Sequence, residues 1–554
     1  MKYLFTIACL FTKLLFVSSE IYSSMAHIED RLNYVKKINI SGWIMKHFVE
    51  PEELRLATLK EVVKHAVDVD KLAKDTNELE NPLNVYRFMK KLAYFKEQVQ
   101  KANDTKRQNS FKEASFIKFL NVLPTKEDLN GSITGNIFFS CFYFLYFTKQ
   151  LKYYCSGLAR LQVVYNLSTE DVLAGILNGR PSRPLTAEEA MDIVTYTINL
   201  SIPGIQINNY TLSWLIHINN TKISLYKDRP YIKILRLMAG IYLQSRCYCS
   251  REFQHVYNML RKVDPSYSAH IERFVKSCKK WYSRSDCELL TEKPTLYSRG
   301  ERFFALCRGE PIKIPDESIG YKTQAREFSC MLQSNNDPKL LLNPVRVEIL
   351  NKKSPYIAIL HDIVTDREIN FIKRVGKPNL KRGTVKVRDG QAKSDVKISK
   401  TMLMPNSHIA LYGKLNTFRN RLVALTKLNK KSFKKVQVAN YGVGGVYDVH
   451  VDFVFPGVEK NFTDATDIHL LTVVNYLTDV ENGGMTVFPD LGIKVEAKKG
   501  NALIFYNLFR NGTGNWLTRH ASCPVLYGNK WIANQWVLKN DQAFAYPCSL
   551  NKFE

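Results

Sequence analysis

Tyr441-Gly-Val-Gly-Gly-Val-Tyr447-Asp-Val-His450-Val-Asp452-Phe453 decides the reading of this 554-residue chain. Residues 436–441 and 447–453 read as two strands joined by the glycine turn Gly442-Val-Gly-Gly445. On a strand, His450 and Asp452 are two apart, so both project to one side and can hold one ion. His520, seventy residues further on, offers a second imidazole. Two imidazoles and one carboxylate on one face of an octahedral iron(II) leave three positions open. That suits an oxygenase that must bind O2 and an organic co-substrate together.

Downstream, residues 470–477, 486–488, 502–508 and 531–538 are short runs rich in β-branched and aromatic side chains. Glycines separate them at Gly483-Gly484, Gly492, Gly500 and Gly512/Gly514. Strands at this spacing, with no helical period between them, predict a sandwich or barrel. A jelly roll would return His520 to the side of His450. Lys530 opens the last run and shares a face with Ile532, Asn534 and Trp536. A lysine on such a face either pairs with an anion or snorkels to water from a strand edge. The distal carboxylate of a dicarboxylic acid would serve as the anion.

With Gly483-Gly484-Met-Thr486-Val-Phe488-Pro489 and Thr518-Arg519-His520-Ala-Ser-Cys523-Pro524-Val525-Leu526-Tyr-Gly528-Asn529-Lys530-Trp531, the opening stretch resembles the catalytic domain of the collagen prolyl 4-hydroxylase alpha subunit. The likeness is nearly unbroken from about Val436 to Cys548 and weaker through most of the chain. It implies a procollagen-proline 4-dioxygenase that uses iron(II), 2-oxoglutarate, O2 and L-ascorbate. Under it His450, Asp452 and His520 are the iron ligands and Lys530 pairs with the far carboxylate of 2-oxoglutarate. Tyr441 and Thr472 steady that co-substrate, while Tyr447 and Trp536 pack against the peptidyl proline. His469, seven residues before Tyr476, stands where related hydroxylases carry a peptide-gripping arginine. Histidine keeps a donor but loses the planar fork and the permanent charge, which leaves the peptide preference open. Two other readings are a divergent peptide-binding subunit with little turnover and a related dioxygenase acting on non-collagen peptides. Retention of all three ligands plus Lys530 argues against the first; sequence does not separate the second.

The rest of the chain bounds the context. Residues 1–19, apolar to Val17, read as a secretory signal, and no other stretch has the roughly 18–20 apolar residues that span a bilayer. No KDEL-like tetrapeptide follows Asn551-Lys-Phe-Glu554. The resemblance implies the endoplasmic reticulum lumen, retention by the protein disulfide isomerase beta subunit, and an alpha–alpha contact within an alpha2beta2 tetramer. Residues 20–131 read as a helical dimerisation domain, with Leu56, Leu59, Val63 and Ala66 stepping by three and four. Asn81-Pro82-Leu-Asn84-Val-Tyr86 begins the part that resembles the family's dimerisation region. Residues 132–155, aromatic without amphipathic period, read as an atypical insert. Residues 156–275 resemble a tetratricopeptide-like peptide-binding domain, with Tyr196, Tyr210, Tyr231 and Tyr242 as candidate peptide contacts. A linker with a disulfide region (276–345) and the dioxygenase domain (346–554) complete an α+β multidomain chain, helical in its N-terminal half and a double-stranded β-helix at its C-terminal end.

Eleven cysteines fit an oxidising compartment. The resemblance pairs Cys523 with Cys548 and Cys307 with Cys330, while Cys247, Cys249, Cys278 and Cys287 admit three pairings. The net charge of +27 is dispersed, and no nucleic-acid signature accompanies it. It reads as a solvated basic surface or as steering of an acidic partner. Sequons at Asn39, Asn103, Asn130, Asn166, Asn199, Asn209, Asn219, Asn461 and Asn511 are candidate glycan sites.

Overall fold

The computed structural model describes residues 63–64, 66–67, 81–88, 90–91, 157–197, 207–220, 229–278, 280–281, 299–312, 329–387, 390–393, 396–404, 414–453 and 468–551. The signal, the 132–155 insert, Leu56, Leu59, Cys287 and the sequons at Asn39, Asn103, Asn130, Asn199 and Asn461 lie outside the described residues, as do the side chains of Tyr196, Tyr210 and Tyr231. The chain divides into two units, Pro124–Ser298 and the remainder. No helix among the described residues is long and apolar enough to cross a membrane.

In the first unit α1 (Ala187–Thr197), α2 (Ile207–Asn220), α3 (Arg229–Gln244), α4 (Arg251–Val263) and α5 (Pro265–Ser277) each pack on the next. Local chemistry places the boundaries. Ser250 caps α4 by accepting from the Phe253 N–H, and Asp264 ends α4 and caps α5 by accepting from Tyr267. Cys249–Cys278 ties the start of α4 to the end of α5 and resolves one of the open pairings. Tyr242 is 1% exposed and packs edge-on against Phe253, so it is a core residue and not a peptide contact.

Among the described residues the second unit carries two large antiparallel sheets and two small two-stranded ones. In chain order the elements are α6 (Arg299–Cys307), β1 (Ser329–Gln333), β2 (Val345–Asn351), β3 (Ile357–His361), α7 (Asp366–Gly376), β4 (Lys381–Arg382), β5 (Lys397–Ile398), β6 (Lys400–Leu403), α8 (Lys414–Thr426), β7 (Gln437–Tyr441), β8 (Val446–His450), β9 (His469–Tyr476), β10 (Thr486–Phe488), β11 (Ile493–Val495), β12 (Ala502–Tyr506), β13 (His520–Ser522) and β14 (Lys530–Leu538). The larger sheet runs β1-β2-β3-β12-β9-β14-β7-β6-β4, the smaller β11-β10-β13-β8-β5. Central β9, Leu-Leu-Thr-Val-Val after His469, is apolar on both faces because both are covered. On one side its residues join a core with Ile369, Phe371 and Ile372 of α7 and Phe418 and Leu422 of α8. On the other, Tyr441, Val474, Tyr476 and Phe505 of the larger sheet meet Phe488, Ile493 and Val495 of the smaller. Burying each such side chain fully contributes about 1.5–3 kcal/mol, which makes this double core the main source of stability. Thr365 and Glu368 form a capping box that starts α7 and leaves its apolar face to the sheet.

The expected Cys307–Cys330 and Cys523–Cys548 bridges are not formed. Cys307 bonds Cys523 instead, with Cα atoms 5.6 Å apart, and Cys330 and Cys548 are free and exposed. The reason is packing. Cys330 lies on β1, the outer edge of the larger sheet, whereas α6 packs on β10 and β11 and carries Cys307 to Cys523.

Candidate active site

His450 ends β8 and His520 begins β13, and the two strands pair so that these residues stand directly opposite. The register shifts between Tyr447 and His450, and Asp452 follows just past the strand end. The ligand atoms of His450, Asp452 and His520 all lie within 4.8 Å of one another. His450 Nε2 is 3.7 Å from Asp452 Oδ1, and His520 Nε2 is 3.9 Å from Asp452 Oδ2.

The tautomers are set by backbone. His450 Nδ1 donates to the Asp448 carbonyl at 2.7 Å and His520 Nδ1 to the Thr518 carbonyl at 2.9 Å. Each Nε2 therefore keeps its lone pair for an ion. Burial, then the neighbouring His520, lowers the His450 pKa and keeps its ring neutral against the pull of Asp452. Burial alone would raise the Asp452 carboxyl, but His520, His450 and the Trp536 N–H outweigh it and hold it ionised. Two imidazoles and one carboxylate are the donor set that a small divalent ion takes.

Asp452 Oδ2 accepts from Thr472 Oγ1 at 2.7 Å and from Trp536 Nε1 at 3.0 Å. Thr472 and Trp536 are cross-strand partners on β9 and β14, so Asp452 ties the smaller sheet to the larger. Asn507, fully buried, donates to Thr472 Oγ1 at 2.9 Å and so directs the threonine proton to the carboxylate. Thr472 and Trp536, expected on co-substrate and substrate, both support the metal ligand here. Tyr447, expected on the proline, stacks on His450 with ring centroids 3.6 Å apart. His469 stands beside this cluster. Its ring stacks on Trp536 and its Nδ1 is 2.9 Å from the Asp452 carbonyl, with Lys434 Nζ 3.4 Å from Nε2.

Lys530 faces Tyr441 across β14 and β7 and is 1% exposed, which removes the snorkelling alternative. Its Nζ donates to Ser522 Oγ at 2.8 Å and lies 5.6 and 5.7 Å from the Tyr441 and Tyr476 ring centroids. Among the described residues no carboxylate forms an ion pair with it, and burial pushes its ammonium down to about 7. Burial also raises the Tyr441 hydroxyl well above its ordinary range, so it stays a donor. An ammonium walled by aromatic rings beside a metal triad is a receptor for an anion.

The family model described as 2OG-Fe(II) oxygenase superfamily matches residues 436–538, and the one described as Prolyl 4-Hydroxylase alpha-subunit, N-terminal region, matches residues 43–139. Prolyl 4-hydroxylase subunit alpha-1 of Gallus gallus is 29% identical over 569 residues, covering 97% of this chain and 100% of the relative. Subunit alpha-2 of Caenorhabditis elegans is 28% identical over 562 residues, covering 96% and 94%. Over nearly its whole length the chain is similar to prolyl 4-hydroxylase alpha subunits, and residues 436–538 match the 2OG-Fe(II) oxygenase superfamily. A viral collagen prolyl hydroxylase from Paramecium Bursaria Chlorella virus-1, solved with 2OG, is 26% identical with a TM-score of 0.27, over 33% of this chain and 95% of its own.

The chain is an iron(II)- and 2-oxoglutarate-dependent dioxygenase. Sequence reasoning missed Lys397, Ser399, Ser522 and Asn507 around this centre. Lys397-Ile-Ser399-Lys400 carries no motif, and Asn507 and Ser522 matter through contacts with distant strands. Ser522 alone had a signal, since it stands two residues from His520 and shares its face.

Proposed function

We propose that this alpha subunit hydroxylates C4 of peptidyl proline in procollagen-like chains, converting O2 and 2-oxoglutarate to succinate and CO2 as one oxygen atom enters the proline. The observation that carries this reading is Lys530, a buried lysine with no ion-pair partner among the described residues, whose Nζ donates to Ser522, two residues along β13 from the ligand His520. His450, Asp452 and His520 would hold the iron. Bound iron supplies the activation of O2 that protein side chains lack. Lys530 and the Tyr441 hydroxyl hold the far carboxylate of 2-oxoglutarate, and Ser522 aims the ammonium. Thr472 and Trp536 fix Asp452, and the apolar core between the sheets excludes water from the reacting centre.

The two-sheet sandwich is read as the double-stranded β-helix, and the successive helices α1–α5 as the tetratricopeptide-like peptide-binding region. Disulfides at Cys249–Cys278 and Cys307–Cys523 support an oxidising compartment, taken here as the endoplasmic reticulum lumen. Protein disulfide isomerase as beta subunit, an alpha–alpha contact and L-ascorbate complete the assembly. The test is mass spectrometry of proline-rich peptides incubated with the purified complex, iron(II) and 2-oxoglutarate. A gain of one oxygen atom on proline is expected. No gain, or oxygen on another residue type, would overturn the assignment.

A further inference from the structure

We propose that Lys397 is a second carboxylate-binding residue of the active pocket, set apart from Lys530; the inference rests on the function proposed above. Lys397 lies on β5 opposite Tyr447 of β8 and is 6% exposed. Its Nζ is 4.6 Å from the centroid of the Tyr447 ring, which in turn stacks on His450. Among the described residues no carboxylate forms an ion pair with it. Burial pushes its ammonium down to about 8, and the charge of Asp452 works the other way, so it remains largely charged at neutral pH. An aromatic face offers such a cation less than its lost hydration, so the ring alone does not offset its burial.

The wall around Lys397 is built for a polar guest. Ser399, two residues on and fully buried, brings its hydroxyl beside Tyr441. Gly383 lies over both side chains, since a Cβ there would come 3.1 Å from Ser399 Oγ and 3.5 Å from Lys397 Cε. Lys530 is placed against Tyr441, Tyr476 and Ser522, whereas Lys397 is placed against Tyr447, next to a metal ligand. With iron(II) bound and both lysines charged, Asp452 and dianionic 2-oxoglutarate leave the pocket a net positive charge. A carboxylate at Lys397 comes from one of two sources. It is the keto-acid end of 2-oxoglutarate, or an acidic side chain beside the target proline.

The experiment compares wild type, Lys397→Met and Lys397→Arg in the full chain with its co-purifying partner. Three quantities are measured: iron(II) affinity, anaerobic calorimetric binding of 2-oxoglutarate to the iron-loaded protein, and KM for matched proline peptides with and without a flanking aspartate. Lys397→Met nearly preserves length and removes charge. It is expected to weaken either 2-oxoglutarate or the acidic peptide by about tenfold or more, as loss of a charge-assisted bond should, with iron affinity kept. Lys397→Arg should recover most of the loss. A loss confined to 2-oxoglutarate names the keto acid as source; a loss confined to the aspartate peptide names the substrate. If Lys397→Met binds both as wild type does, the inference fails. It fails equally if iron affinity, melting temperature and every ligand decline together, the mark of a structural lysine. A wild type that binds no 2-oxoglutarate would instead sink the functional reading itself.

Discussion

The two sides of the iron site are built to different rules. On the β8–β13 side, each imidazole is oriented by a backbone carbonyl two residues before it in the chain. On the β9–β14 side, Asp452 is oriented by Thr472 and Trp536, which come from the other sheet and reach it across the sandwich. The first arrangement depends on local backbone and the second on how two sheets pack. Substitutions near the histidines should therefore act through the ligand itself, and those near Asp452 through the fit between the sheets.

The largest effect is expected from the ligands. His520→Ala or Asp452→Ala should weaken iron(II) binding by more than about 100-fold, beyond the range for supporting residues, and bring turnover to background. Calorimetry with iron and peptide turnover would check both. Wild-type iron affinity in either variant would break the comparison at its root.

Next comes the anchor of the β13 side, where Cys307–Cys523 closes a long loop only three residues from His520. Cys307→Ser should cost about 2–5 kcal/mol of unfolding free energy, as removal of a native bridge does. Cys548→Ser, at an exposed free thiol, should stay within about 0.5 kcal/mol. Denaturant melts in which the two costs are reversed would restore the Cys523–Cys548 bridge.

On the Asp452 side, Trp536→Phe and Thr472→Val each remove one donor and keep the ring or the shape. Iron affinity should fall about 10–100-fold in each. A rise in peptide KM at unchanged iron affinity would instead return Trp536 to the proline.

Lys530 gives a pH signature. Its ammonium titrates near about 7 in the ligand-free pocket, below the ordinary lysine range, because burial disfavours the charge. The charged form binds the dianion, so 2-oxoglutarate affinity should be greatest below that pH and fall above it, by at most about tenfold per pH unit. Lys530→Arg should flatten the profile because guanidinium stays charged. A wild-type profile as flat as that of the arginine variant would mean the lysine holds no carboxylate.

The smallest effect belongs to His469, whose ring touches the Asp452 carbonyl and Trp536. Loss of one such hydrogen bond in His469→Phe should lower iron affinity only about two- to fivefold, at about 0.5–1 kcal/mol. A larger change in peptide KM than in iron affinity would mark His469 as a peptide contact after all.

Sequence alone determined most of the strands and the face that Lys530 shares with Ile532, Asn534 and Trp536, because the two-residue period and glycine turns are local properties of the chain. It also carried the resemblance, while burial decided that Lys530 does not reach water and the turn past β8 brought Asp452 beside His450. Tertiary structure decided how those residues are used. Thr472 and Trp536 serve Asp452 because β9 and β14 place them as a pair against the end of β8. Lys397 enters the pocket because β5 pairs with β8, a contact no motif announces. Cys307 meets Cys523 because α6 lies on the smaller sheet while Cys330 stays on an outer edge. Each of these outcomes joins residues far apart in the chain, so each depends on how sheets and helices pack and on which groups that packing removes from water.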